Sequence, residues 1–121
     1  MACVLLVDDE PGALDLRKLI LERYGHMVHC ADDAANARRI FDETQPDSIV
    51  LDLRLPEASD GLMLIRYFRE RAPQVRMLVL SGWPLDLEGQ PEAAMVNAVL
   101  AKPASSAKLV ELLQRPQDLG E

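Results

Sequence analysis

CVLLVDDE (residues 3–10) joins a short apolar run to two adjacent aspartates, Asp8 and Asp9. Four similar runs follow along the chain: MVHCA (27–31), SIVL (48–51), RMLVL (76–80) and AVLA (98–101). Strands that are apolar along their whole length, rather than at alternate positions, are typical of a sheet covered on both faces. The stretch from residue 3 therefore predicts the first of five buried parallel strands.

Segments with helical periodicity separate these runs. A helix is predicted from Pro11 to Tyr24, because proline suits a first helical turn and Gly25 ends the pattern. Three others are predicted: Ala34 to Thr44 capped at Asp32 or Asp33, Gly61 to Arg71 capped at Asp60, and Lys108 to Gln114 capped at Ser105 or Ser106. Pro84, Gly89 and Pro91 leave room only for a short helix at about Glu92 to Asn97.

This alternation of strands and helices predicts an α/β fold with a doubly wound parallel sheet. We expect five strands in the order 2-1-3-4-5 and about five helices, of which the fourth is short or irregular. The length of 121 residues and the 49% share of hydrophobic residues suit a single domain over 1–121 with a frayed tail at 116–121. Met63 and Met77 are expected in the core.

The composition excludes several classes of function. A formal net charge of -7 argues against direct nucleic-acid binding, and no segment is long and apolar enough to span a membrane. Cys3 and Cys30 are isolated, which predicts reduced thiols and agrees with a cytoplasmic protein. His26 and His29 have no partner at metal-ligand spacing and are expected to be structural.

The polar residues that could carry chemistry all stand where a predicted strand ends. Asp8 and Asp9 end the first strand, Asp52 the third, Ser81 the fourth and Lys102 the fifth. In open α/β sheets the ligand site lies beyond the carboxyl ends of the strands, at the point where the strand order reverses. In the order 2-1-3-4-5 that point lies between strands one and three, so the three aspartates are predicted to be neighbours.

Three neighbouring carboxylates repel one another unless positive charge intervenes. The sequence offers Lys102 as the one cation, and hard carboxylate oxygens suit Mg²⁺. Asp52 can act as a nucleophile, because a carboxylate can carry a phosphoryl group. Mg²⁺ and Lys102 would then neutralise phosphoryl oxygens, and the Ser81 hydroxyl could donate to one of them.

Taken singly, each of these residues has a structural explanation as a helix cap or a loop residue. Together, VLLVDDE (4–10), IVLDLRLP (49–56) followed by DG (60–61), LVLSG (78–82) and LAKP (100–103) resemble the four motifs of response-regulator receiver domains. The resemblance spans nearly the whole chain in the family's order and spacing. It implies a flavodoxin-like fold and a signalling phospho-acceptor rather than an enzyme.

The resemblance also implies a role for each matching position. Asp52 corresponds to the phospho-acceptor, Asp9 to the direct metal ligand and Asp8 to the companion acid that acts on metal-bound water. The backbone carbonyl of Arg54 corresponds to a third metal ligand. Ser81 corresponds to the hydroxyl position and Lys102 to the lysine position. The peptide bond before Pro103 corresponds to one that is usually cis.

Cofactor and partners follow from the same resemblance. Mg²⁺ is the implied cofactor, and Mn²⁺ could replace it. A histidine kinase or a histidine phosphotransfer protein would donate the phosphoryl group and dock mainly on the first helix, and the output partner is unknown. We expect no direct contact with nucleic acid or membrane, and a monomer or weak dimer.

Two positions depart from the family pattern. Val99 stands where Tyr or Phe commonly precedes the lysine by three residues, and Ala104 stands where an aromatic often follows Lys-Pro. Trp83 is either a surface aromatic or a shield for the phosphate. We therefore hypothesise that phosphorylation reorganises the loop from Ser81 to Pro91 instead of a buried aromatic. A phosphorylation-independent binding module is the alternative; an acyl-phosphate hydrolase is disfavoured, because no second acid follows Asp52 two positions on.

Overall fold

The structure is a computed structural model that describes residues 2–115, so the tail predicted to fray at 116–121 lies outside the described residues. It contains five strands: β1 Cys3–Val7, β2 Met27–Ala31, β3 Ser48–Asp52, β4 Arg76–Ser81 and β5 Ala98–Ala101. All neighbouring pairs are parallel, and the strand order is β2-β1-β3-β4-β5. The predicted sheet and its order are confirmed.

The described residues also form four α-helices: α1 Pro11–Arg23, α2 Ala34–Thr44, α3 Ala58–Arg71 and α4 Ser106–Gln114. Helices α2 and α3 pack on one face of the sheet, where Phe41 and Phe68 belong to one buried cluster with Ile49 of β3. Helices α1 and α4 pack on the other face, where Leu14 and Leu109 join a second cluster. Burial of β1, β3 and β4 on both faces explains their long apolar runs, whereas the edge strand β5 is only partly buried. No helix in this part of the chain has the length and apolar character needed to cross a membrane.

The predicted caps of α2 and α4 are confirmed, whereas the predicted start of α3 is wrong. The side chain of Asp33 accepts from Asn36 N, and that of Ser105 from Lys108 N. Helix α3 begins at Ala58, three residues before the predicted Gly61. Asp60 is not its N-cap: Glu57 and Asp60 form a capping box in which each side chain accepts from the other residue's backbone N–H, and this pairing starts the helix earlier.

Gly61 allows α3 to lie directly against the chain that follows β3. A Cβ added at Gly61 would stand 1.9 Å from the backbone oxygen of Leu53. No side chain could move aside to relieve this contact, because the obstacle is backbone. The glycine of the DG pair thus fixes the close approach of α3 to the residue after Asp52.

The connection between β4 and β5 contains two short 3₁₀ helices, Pro84–Asp86 and Pro91–Met95, in place of the fourth α-helix. The prediction that the fourth helix is short or irregular is confirmed, although the 3₁₀ helix begins at Pro91 and the chain is extended again at Val96, before the expected end at Asn97. The described chain has one α-helix fewer than the five predicted. The two prolines and Gly89, which has a φ of +78°, favour short turns over a continuous helix.

Arginines of α3 hold this connection to the rest of the fold. Arg66 forms an ion pair with the buried Glu92, one of whose oxygens, Oε1, has no hydrogen-bond partner. Arg69 donates from Nε to Met95 O at 2.8 Å and from Nη1 to Val75 O at 2.7 Å. Side-chain contacts from a distant helix therefore fix the position of a segment that has little regular structure of its own.

The remaining predictions concern single residues. Cys3 and Cys30 are unpaired, as expected, and both are half-buried. Met77 is fully buried, but the expectation for Met63 was wrong: it lies on the outer side of α3 and is 64% exposed. His26 is buried, and its Nδ1 accepts from Ala2 N at 3.1 Å, which is a structural contact.

Candidate functional site

Three aspartates meet at the carboxyl edge of the sheet. Asp52 is the last residue of β3, and Asp8 and Asp9 follow the adjacent strand β1. One carboxylate oxygen from each lies within 4.8 Å of those of the other two. Asp8 and Asp52 are buried, and Asp9 is exposed. Adjacent parallel strands thus bring together residues that are more than 40 positions apart in the sequence, as predicted.

Asp8 is held on both of its oxygens. Its Oδ1 accepts from Glu10 N at 2.9 Å, and its Oδ2 accepts from Arg17 Nη1 at 2.8 Å. The expectation that Lys102 is the one cation near the site was therefore wrong. The sequence contained a signal for Arg17: it lies three residues after Leu14 and four before Leu21, both buried, so helical periodicity directs it toward the sheet.

Asp52 is paired with Lys102. Nζ of Lys102 donates to Oδ2 of Asp52 at 2.7 Å, although 50 residues separate the two in sequence. Burial raises the pKa of Asp52, and the nearby charge of Asp8 raises it further, while Lys102 and a backbone hydrogen bond from Arg54 oppose this rise. Burial outweighs the opposing contacts, so the pKa of Asp52 lies above its ordinary value.

Ser81 ends β4 and is buried at the same edge. Its hydroxyl donates to Trp83 O at 2.9 Å and accepts from Trp83 N at 3.0 Å. The hydroxyl thus closes a tight local turn. It would have to leave Trp83 O in order to donate to a ligand in the pocket.

A pocket of about 240 Å³ opens beside Asp52 and brings most of the predicted site residues together. It is lined by Asp9, Asp52, Arg54, Pro56, Ser81, Gly82, Trp83 and Lys102. At its rim, the guanidinium carbon of Arg54 lies 5.0 Å from the ring centroid of Trp83. Arg54 also donates to Asp86 from Nε at 2.7 Å and from Nη2 at 3.1 Å. No local sequence pattern indicates a role for Asp86, because its partner is 32 residues away.

Val99 and Pro103 are not among the residues that line this pocket. Val99, in the middle of β5, is 45% exposed. The Lys102–Pro103 peptide bond is cis, as is Leu55–Pro56.

Comparison with known proteins agrees with the fold and the acidic cluster. Residues 4–114 match the response regulator receiver domain family. The chain belongs to this family. Receiver domains are the signalling domains of two-component response regulators, and this one carries the acidic cluster at its sheet edge.

The relatives of this receiver domain include longer regulators. The transcriptional regulatory protein TrcR of Mycobacterium tuberculosis is 46% identical over 67 residues, which are 55% of this chain and 26% of TrcR. The response regulator protein PilR of Pseudomonas aeruginosa is 32% identical over 110 residues, which are 90% of this chain and 24% of PilR. The receiver domain thus spans about a quarter of the length of these two relatives.

A solved structure supports the same assignment. The response regulator receiver domain protein from Clostridium thermocellum is 25% identical and has a TM-score of 0.82, covering 92% of this chain and 90% of that chain.

Proposed function

We propose that this receiver domain accepts a phosphoryl group on Asp52 in a Mg²⁺-dependent reaction and thereby changes its binding to an output partner. One observation carries the proposal: a buried carboxylate at a strand end is paired with Lys102 at 2.7 Å and faces two further aspartates within 4.8 Å. Such a group has a positive partner on one side and a set of oxygen ligands on the other. That is the arrangement that phosphoryl transfer to a carboxylate requires.

The proposed step forms one bond and breaks one. An oxygen of Asp52 attacks the phosphorus of a phosphohistidine on the donor protein, and the P–N bond breaks. The electron pair of that bond stays on the imidazole nitrogen. The ring leaves as neutral imidazole when its other nitrogen already carries a proton, and otherwise it takes a proton from water. Lys102 Nζ and, after rotation, the Ser81 hydroxyl donate to phosphoryl oxygens and so stabilise their charge.

The acidic cluster suits a small divalent cation. Asp8, Asp9 and Asp52 offer hard carboxylate oxygens, and we propose Asp9, Asp52 and the backbone carbonyl of Arg54 as ligands, with Asp8 acting through water. When bound, Mg²⁺ would neutralise charge on the carboxylates and on the phosphoryl group, and Mn²⁺ could replace it. Arg17 holds the Asp8 carboxylate in place through their ion pair at 2.8 Å.

The donor is proposed to be a histidine kinase or a histidine phosphotransfer protein that docks on α1. Two leucines of this helix, Leu16 and Leu19, are 57% and 51% exposed. Exposed leucines on this helix offer an apolar contact for such a partner. We propose that the reaction takes place in the cytoplasm and that the domain works as a monomer or weak dimer without contacting nucleic acid.

A second candidate is a phosphorylation-independent binding module with the same fold. The exposed Val99 and the pair of 3₁₀ helices between β4 and β5 favour it, because they replace features through which receiver domains usually signal. The intact pairing of Asp52 with Lys102 opposes it.

Incubation with acetyl phosphate and Mg²⁺, followed by intact-mass measurement, separates the two candidates. The proposal expects one phosphoryl adduct on the wild-type protein and none on Asp52→Asn. The matched control is Asp15→Asn, which removes an exposed carboxylate from α1 and should leave the adduct in place. No adduct on the wild-type protein under any metal condition would support the binding module, and sustained turnover of unrelated phosphoesters would indicate a hydrolase.

A further inference from the structure

The rim of the pocket contains an ion pair that the acceptor chemistry does not use. Arg54 and Asp86 make two hydrogen bonds, from Nε at 2.7 Å and from Nη2 at 3.1 Å. The Arg54 side chain is 45% exposed and that of Asp86 only 16%, so the carboxylate is the more firmly placed partner. Asp86 ends the first 3₁₀ helix, three residues after Trp83 of the pocket lining.

The turn at 83–86, which contains Asp86, is also attached to the pocket through its backbone. Trp83 O accepts from the Ser81 hydroxyl at 2.9 Å and from Asp86 N at 2.9 Å. The Trp83 ring in turn lies against the Arg54 guanidinium. Two donors that border the pocket, Arg54 and Ser81, therefore also hold the turn at 83–86.

We propose that Asp86 is a positioning residue: it holds Arg54 at the rim of the pocket and competes with a phosphoryl group on Asp52 for the guanidinium. This inference rests on the proposed function and goes beyond it. When Arg54 turns to the phosphoryl oxygens, Asp86 loses its partner and the turn at 83–86 is released. The Arg54–Asp86 pair thereby connects the acceptor pocket to the β4–β5 connection.

The competition is expected from the chemistry of the three groups. A phosphoryl group carries close to two negative charges and three acceptor oxygens, and the planar guanidinium pairs with carboxylate or phosphate in the same two-pronged way. Arg54 can offer its Nε and Nη2 face to only one of them at a time. Because the present pair is partly exposed, its net strength is modest, so a second anion can displace it.

Through this coupling, phosphorylation in the pocket would change the β4–β5 connection without an aromatic residue at position 99. Arg54 stacks on Trp83, so a movement of the guanidinium alters the environment of the single tryptophan. Release of Asp86 would loosen the first 3₁₀ helix, and release of the Ser81 hydroxyl would loosen the same turn from its other end. The response would remain in the connection between β4 and β5.

A double-mutant cycle tests the competition. Beryllofluoride with Mg²⁺ serves as the phosphoryl probe, and calorimetry measures its dissociation constant for wild type, Asp86→Asn, Arg54→Gln and the double variant. Asp86→Asn is expected to bind the probe about three- to fivefold more tightly, the scale of an exposed but two-pronged ion pair. That gain should be absent when Arg54 is already glutamine, and Asp86→Glu should bind much as wild type does.

The matched control is Glu43→Gln, which breaks an exposed arginine–glutamate pair on α2, distant in sequence, and removes the same single charge. It should leave the dissociation constant unchanged. Amide exchange at 83–90 should be faster in the wild-type complex than in the free protein, and already fast in free Asp86→Asn.

Two results would overturn the inference: an Asp86→Asn affinity equal to that of Glu43→Gln, or a gain that persists with Arg54→Gln. A purely structural role of Asp86 would give the second result, because its effect would not depend on Arg54. The proposed acceptor function fails separately, if wild type binds no beryllofluoride or if Asp52→Asn binds it equally well.

Discussion

The acceptor pocket and the connection between β4 and β5 lie side by side but are built in different ways. The pocket carries its polar groups on the ends of buried strands, with Asp8 paired to Arg17 and Asp52 paired to Lys102. The connection, residues 82–97, has two 3₁₀ helices and is held by side chains from α3. We call residues 82–97 the readout segment.

This difference shows that the acidic cluster and the part of the readout segment beyond the turn at 83–86 rest on separate supports. Hydrogen bonds of the sheet and two buried clusters position the pocket. The readout segment depends on a few long-range contacts of Arg66 and Arg69, which can be lost without unfolding the sheet. Substitutions that affect the pocket should therefore differ in their consequences from substitutions that affect the readout segment. Three variants test this expectation.

The largest effect is expected for Gly61→Ala, which disturbs the packing of α3 against the chain that follows Asp52. The new Cβ would meet Leu53 O at 1.9 Å, so α3 or the end of β3 must move. We expect a loss of about 3 kcal/mol in unfolding free energy, measured by urea denaturation, and weaker beryllofluoride binding. The control is Gly12→Ala in α1, where a Cβ meets nothing within 4 Å and stability should be unchanged or slightly higher. Equal stability of the two variants would contradict this account of the pocket.

An intermediate effect is expected for Arg69→Ala, which removes side-chain contacts that hold the readout segment. It removes donors from Met95 O and Val75 O, and we expect a loss of about 2 kcal/mol. Amide exchange at 91–97 should accelerate, whereas the beryllofluoride dissociation constant should stay within about threefold of wild type. Arg39→Ala, which removes an exposed ion pair with Glu43 and an exposed hydrogen bond to Asn36, serves as the control. Loss of beryllofluoride binding in Arg69→Ala would show that the two regions share one support.

The smallest effect is a gain in stability for Asp52→Asn in metal-free protein. Burial raises the pKa of Asp52 above its value in the unfolded chain, so its ionisation weakens the folded state as pH rises through this range. The penalty is present in full only above this range, and asparagine, which can still accept from Lys102, removes it. We expect a melting temperature about 3 °C higher in EDTA at pH 7, with the difference shrinking as pH falls toward 4. A lower melting temperature for the variant at pH 7 would contradict the assigned cost of burying the Asp52 carboxylate.

The same difference explains how much of the structure the sequence could predict. The strand order and the convergence of Asp8, Asp9, Asp52 and Lys102 were predicted, because strand ends in a parallel sheet share one edge. Periodicity and caps located α2 and α4, where Asp33 and Ser105 act locally. Each of these features depends on residues close together in sequence or on a general rule of topology.

Features that depend on a side chain reaching across the fold were not predicted. Arg17 was missed although its helical position was visible, because the sequence does not show which acid an inward arginine will meet. The Arg54–Asp86 pair joins residues 32 apart, and the start of α3 depends on the reciprocal capping of Glu57 and Asp60. Such contacts follow from packing that local patterns do not contain.

The central claim is that Asp52, and neither of the two aspartates beside it, receives the phosphoryl group. Borohydride reduction of the protein treated with acetyl phosphate and Mg²⁺ would convert a phosphorylated aspartate to homoserine, and peptide mass spectrometry would locate it. We expect homoserine at residue 52 alone. Homoserine at residue 8 or 9, or a phosphoryl adduct that leaves residue 52 unlabelled, would contradict the account.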